Sequence, residues 1–182
     1  MLYQWLYPLA DTIPGLNVVR YITFRTAAAT LTALFISFIV GPWLIRRLAA
    51  LRMGQPIREI GPAHSAKAGT PTMGGLLILL SLTISVLLWT DLSNPFVWIV
   101  LGLTAGYGVL GFIDDYAKVT KKSSAGISAR AKLFWQVLLA LGVAIAIYTS
   151  PAFDGELAVP FFKDFTPHIG WLYVPLATFI IV

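Results

Sequence analysis

Four stretches of this sequence run without a charged residue for long enough to cross a bilayer. They are 26–45, 68–90, 92–113 and 133–153, of 20, 23, 22 and 21 residues. A helix needs about 20 apolar residues to traverse roughly 30 Å of hydrocarbon. The remaining surface could not hide so many: only 12% of the chain is charged, about half the share of a soluble domain. The expected fold class is all-α, a polytopic transmembrane helix bundle. Spans are placed near 22–44, 73–89, 95–113 and 133–148. Trp43, Trp89, Trp135 and Tyr148 fall close to their ends, as an aromatic belt requires.

Both ends of the chain depart from this pattern. Residues 1–21 hold Tyr3, Trp5, Tyr7, Pro8 and Pro14, without the basic start and apolar core of a signal peptide. An interfacial or short re-entrant segment is expected there. The closing stretch 169–182 is apolar for 14 residues, about 21 Å of helix and too short to cross. It reads as an incomplete fifth span, so that 1–182 is a single integral membrane domain belonging to a longer protein.

Ten of the 13 Lys and Arg residues lie in two loops, 45–72 and 114–132. Two spans separate these loops, which puts them on one side. The connections facing the other way are poor in base: 90–94 carries only Asp91, and 149–170 carries Lys163 against Asp154, Glu156 and Asp164. By the positive-inside rule the basic loops are cytoplasmic and the N-terminus is outside. This distribution accounts for the pI of about 9.6 without nucleic acid as a partner. With no cysteine, disulfides, thiolate chemistry and Cys-ligated zinc are excluded.

The first basic loop contains His64 and Lys67 and continues Gly69-Thr70-Pro71-Thr72-Met73-Gly74-Gly75 into a span. Glycines and threonines at a helix start leave N–H groups able to meet an anion, and a lysine suits phosphate. No Gly-x-x-x-x-Gly-Lys-Ser/Thr is present, so this is not a nucleotide-binding P-loop. Close helix packing by small residues is the plain alternative. A lone histidine such as His64 is more often solvated or structural than bound to substrate, and His168 in the outward loop is expected to be uninvolved.

The second loop begins inside Gly111-Phe112-Ile113-Asp114-Asp115-Tyr116-Ala117-Lys118 and goes on through Lys121, Lys122, Gly126, Ser128, Arg130 and Lys132. Acids at a membrane border are costly enough to suggest function, although they could simply end a helix in water. Carboxylates beside clustered cations suit phosphoryl transfer: Mg²⁺ takes one or two carboxylates with the substrate phosphates, and lysines neutralise the remaining oxygens. Successive helical residues project about 100° apart, so the two acids are expected to do different jobs if the helix continues through them.

Gly69–Gly75 with His64 and Lys67 ahead of it, and Gly111–Lys118, resemble the phospho-N-acetylmuramoyl-pentapeptide transferases. These belong to the polyprenyl-phosphate N-acetylhexosamine-1-phosphate transferase superfamily. The Asp-Asp pair marks the superfamily, Thr-Pro-Thr-Met-Gly-Gly the muramoyl member, and Lys132-Leu133-Phe134-Trp135-Gln136 fits as well. The resemblance covers about half of a ten-span fold. The family's Asn-x-x-Asn-Leu-x-Asp-Gly stretch, a further catalytic aspartate and a histidine-rich loop are absent, so these residues alone are expected to be inactive.

The resemblance implies transfer of phospho-MurNAc-pentapeptide from its UDP conjugate to undecaprenyl phosphate, giving lipid I and UMP. Mg²⁺ is the implied cofactor and the cytoplasmic face of the bacterial inner membrane the implied place; a homodimer is compatible with it. Asp114 is expected to contact, orient or deprotonate the lipid phosphate. Asp115 is expected to bind or support Mg²⁺, with Asp114 the second choice. A covalent aspartyl-phosphate intermediate is the mechanistic alternative. His64, Lys67, Thr70, Thr72, Lys118, Lys122, Arg130 and Lys132 are expected on the substrate, with Lys67, Thr72, Lys118 and Lys122 on its diphosphate or uridine side. The rival readings are a sister transferase using another UDP-sugar, a cation-coupled transporter, and a structural subunit without chemistry.

Overall fold

The computed structural model describes residues 1–50, 74–121, 126–157 and 166–182. Its helices are α1 (Leu2–Leu9), α2 (Ile22–Ala50), α3 (Gly75–Trp89), α4 (Pro95–Thr120), α5 (Ala129–Tyr148) and α6 (Tyr173–Ile181), with 3₁₀ turns at Pro14–Arg20 and Gly170–Leu172. Among the described residues the only extended pairing is a single bridge between Glu156 and His168. The fold is all-α, and α2, α4 and α5 are long and apolar enough to cross a membrane. Large apolar side chains such as Phe38, Ile39 and Phe179 stand exposed, which suits lipid or further helices and not water. This is a multi-pass membrane protein.

The chain divides into two compact units, Met1–Ile127 and Ser128–Val182. In the first, α2 and α3 run antiparallel. Trp89 Nε1 donates to Thr32 Oγ1 at 2.9 Å near one end, and Ser37 Oγ donates to Ser81 Oγ at 3.3 Å further along. Gly41 meets Leu77 near the other end, where a Cβ on the glycine would lie 3.3 Å from Leu77 Cδ2. Small and hydroxylic residues let the backbones approach, which is how helices associate when lipid offers no hydrophobic penalty. Hydroxyls not used between helices bond back to the preceding turn, as Thr26 does to Ile22 O and Thr30 to Thr26 O, both at 2.9 Å. These bonds spare the hydroxyls they satisfy from facing hydrocarbon unpaired, although Ser85 Oγ on α3 is buried without a hydrogen-bond partner among the described residues.

The N-terminal segment caps the α3 end of this unit. Tyr3 and Tyr7 lie under the guanidinium groups of Arg25 and Arg20, 4.3 and 5.1 Å from the ring centroids, and Arg20 pairs with Asp11. A tight turn joins α3 to α4. Asp91 Oδ1 accepts from Ser93 Oγ at 2.6 Å and from its N–H at 3.0 Å. Asn94 then caps α4 by accepting from the Phe96 N–H at 3.0 Å, with Pro95 at the first helical position, the arrangement favoured there. α3 packs against α4 as well, with Leu79 over Gly108. The start of α3 and the Gly111–Asp115 stretch of α4 therefore lie at the same end of the unit.

In the second unit Ser128 caps α5 by accepting from the Ala131 N–H at 3.3 Å. α5 turns Ala140 and Ala144, both 0% exposed, into its contact with α6. The connection closes on itself: Leu157 N–H donates to Pro167 O and Ile169 N–H to Gly155 O, both at 3.1 Å. Gly155 sits at φ +79°, where a side chain is strained, and a Cβ would lie 3.0 Å from His168 Nδ1. His168 itself lies 3.4 Å from Glu156 in this loop.

Several helices extend beyond the stretches drawn as spans: α2 runs on to Ala50 and α5 begins at Ala129. The stretch expected to stop at 113 continues as helix to Thr120, so both acids are helical. α3 runs 15 residues, about 22 Å, short of a full crossing by itself.

Candidate functional site

α4 is 26 residues long, about 39 Å and so several ångströms more than hydrocarbon requires. Asp114, Asp115 and Lys118 stand toward its C-terminal end. Nothing between Phe112 and Thr120 breaks a helix: there is no proline and no glycine. A lysine near the last turn also favours the negative helix end.

Lys118 is one turn beyond both acids. Its Nζ lies 2.7 Å from Asp114 Oδ2 and 3.2 Å from Asp115 Oδ1, so a single ammonium bridges two carboxylates. An acid four residues ahead of a lysine is the favoured order on a helix. The two acids are not equivalent. The Asp114 side chain is 10% exposed and that of Asp115 31%. The Oδ1 of Asp114 is also occupied, since the Ile127 N–H donates to it at 2.9 Å from across the second basic loop. Both Asp114 oxygens are thus engaged, from two different segments, whereas Asp115 presents a partly open carboxylate. Phe112 and Tyr116, stacked at 6.2 Å, share the same stretch of α4.

Among the described residues no three His, Cys, Asp or Glu side chains gather into a metal cage. Mg²⁺ does not require one, since it commonly binds through one or two carboxylates and completes its shell with phosphate oxygens and water. Asp115 fits that role. Asp114 fits less well, because a metal there would have to displace Lys118.

His64, Lys67, Thr70, Thr72 and Lys122 lie outside the described residues. Arg130 and Lys132 fall in the first turn of α5, in the second unit. Cations at a helix N-terminus oppose the macrodipole, so helix stability is not what places them there. Sequence reasoning gave no task to Ile127 or Gly126. The one available signal was a glycine within a run of polar residues downstream of two acids.

A signature of phospho-N-acetylmuramoyl-pentapeptide-transferases matches residues 67–79. The phospho-N-acetylmuramoyl-pentapeptide-transferase of Syntrophus aciditrophicus is 53% identical over all of this chain and 51% of its own length. The protein of the same name from Geobacter sp. strain M21 is 52% identical with the same coverage. That from Nitratidesulfovibrio vulgaris is 49% identical, again over 100% of this chain and 51% of its own. The chain's family is that of the phospho-N-acetylmuramoyl-pentapeptide transferases. It spans about half the length of the curated relatives it matches. In this transferase family's signature, Gly74 to Leu79 are described: they open α3 at the end of the unit where Asp114 stands.

Proposed function

We propose that the full-length protein moves phospho-MurNAc-pentapeptide from its UDP conjugate to undecaprenyl phosphate, releasing UMP and leaving lipid I. Supporting this above all is the Asp114–Lys118–Asp115 bridge at the end of α4, in a chain about half identical to transferases of that name. A water-soluble donor and a lipid acceptor share only the membrane border, and acids on a helix that overruns the hydrocarbon suit that meeting point.

In the reaction an oxygen of the lipid phosphate attacks the phosphorus bearing the muramoyl sugar. The new P–O bond forms as the bond to UMP breaks, and UMP leaves with the electron pair. A phosphate monoester has a second pKa near 6, so the acceptor is already largely dianionic and needs no strong base. Asp114, with both oxygens engaged, serves by orienting Lys118. The Lys118 ammonium offsets charge on the diphosphate, and Asp115 would hold Mg²⁺, which would supply Lewis-acid stabilisation there. Substrate contacts by His64, Lys67, Thr70, Thr72, Lys122, Arg130 and Lys132 are part of this reading through the family resemblance alone. The site is cytoplasmic in the bacterial inner membrane, and the N-terminus is outside.

The test supplies UDP-MurNAc-pentapeptide, or UDP-GlcNAc, with undecaprenyl phosphate and Mg²⁺ to the full-length protein in detergent. Lipid I and UMP from the first donor alone are expected. Product from UDP-GlcNAc instead would make it a sister transferase, and no product from either would end the reading.

A further inference from the structure

The site has no room for a side chain at Gly126. A Cβ there would overlap Asp114 Oδ1 and lie 2.8 Å from its Cγ and 3.0 Å from its backbone oxygen. The φ of Gly126 is outside the left-handed region, so the position calls for the absence of a side chain and not for conformational freedom. The next residue exploits the approach. Its N–H reaches Asp114 Oδ1 at 2.9 Å, 13 residues away in sequence. A carboxylate accepting a backbone N–H makes a charge-assisted bond, and one that arrives from another segment restricts rotation of the carboxylate. Asp114 Oδ2 is what Lys118 holds at 2.7 Å. The loop's return, the acid and the lysine therefore form one chain of contacts.

We propose that Gly126 is a positioning residue. It lets the backbone close on Asp114, so that the Ile127 N–H fixes the carboxylate and, through it, the Lys118 ammonium between the two acids. This rests on the reading of those acids as the seat of phosphoryl transfer. Its effect belongs to turnover more than to binding, since misplacing a group by about 1 Å costs on the order of 100-fold in rate.

The test uses the full-length protein as wild type, Gly126→Ala, Asp114→Ala and the double variant. Lipid I formation is measured beside hydrogen–deuterium exchange of the Ile127 amide. Gly126→Ala is expected to lower kcat at least ~10-fold, with KM for UDP-MurNAc-pentapeptide within about twofold. In the Asp114→Ala background the same change should cost nothing more, because the two act through one contact. The Ile127 amide should exchange at least ~10-fold faster in either single variant. A Gly126→Ala protein with normal kcat, or one losing as much activity again on the Asp114→Ala background, overturns the proposal. Should Gly126→Ala fail to insert, Asp114→Ala decides by itself: an Ile127 amide as protected as in wild type overturns it. A wild type that makes no lipid I, yet shows the expected exchange pattern, sinks the reaction assignment and supports the contact.

Discussion

Asp114 and Asp115 are adjacent in sequence and unlike in surroundings, so their substitutions should fail in different ways. Asp115→Asn removes charge from the more open carboxylate, and turnover should fall at least ~100-fold with a raised Mg²⁺ requirement. Asp114→Asn keeps an oxygen for the Ile127 N–H but weakens the hold on Lys118. Its turnover should fall as far, with the Mg²⁺ requirement unchanged and insertion into the membrane intact. A Mg²⁺ titration of both variants checks this, and two identical titrations would remove the distinction. Lys118→Ala leaves two carboxylates without the cation they share, and should lower kcat at least as far as Gly126→Ala does while also raising KM for the UDP donor. Unchanged values for both constants would exclude Lys118 from the site. The acids and the lysine could be singled out from sequence because charges beside an apolar run are costly. The inequality of the acids could not, because it depends on a backbone N–H 13 residues away, and backbone donors leave no residue-type signature.

The same contrast holds for the helices. Charge-free windows mark where a crossing helix can lie, but a helix continues wherever nothing breaks it, and α4 runs past its acids to Thr120. Small residues on α5 were equally silent about their partner. Ala140 and Ala144 are one turn apart and 0% exposed against α6, so Ala140→Leu or Ala144→Leu should overpack that contact. A cost of about 1–3 kcal/mol is expected, read as a lowered melting temperature in detergent. The turn before α4 carries a pH dependence. Ser93 donates its hydroxyl, and then its N–H, to Asp91, which holds that carboxyl below its ordinary range. A depressed folded pKa means the stabilisation is fully present above the unfolded value of about 3.9 and is lost as pH falls through the lower folded value. Protection of the Ser93 amide should therefore hold at neutral and mildly acidic pH and decline only in strong acid. Asp91→Asn should abolish that decline.

At the scale of the molecule, orientation joins the parts, and it rests on where ten of 13 basic residues lie. If both basic loops face the cytosol, α4 crosses from outside to inside and delivers Asp114 and Asp115 to the side where a UDP-linked donor is found. The antiparallel run of α2, α3 and α4 agrees with this, because it brings the start of α3 and the acid-bearing end of α4 to one end of the first unit. Residues 1–182 contain no cysteine, so single cysteines placed among them report the orientation once any cysteine elsewhere in the full-length protein is replaced. Asn17→Cys and Ser93→Cys should react with a membrane-impermeant maleimide added outside intact cells, whereas Thr120→Cys should react only after the membrane is opened. The reverse labelling would put the acids on the face without the donor. No arrangement of Asp114, Lys118 and Asp115 could then carry out the proposed transfer, however well their distances suited it.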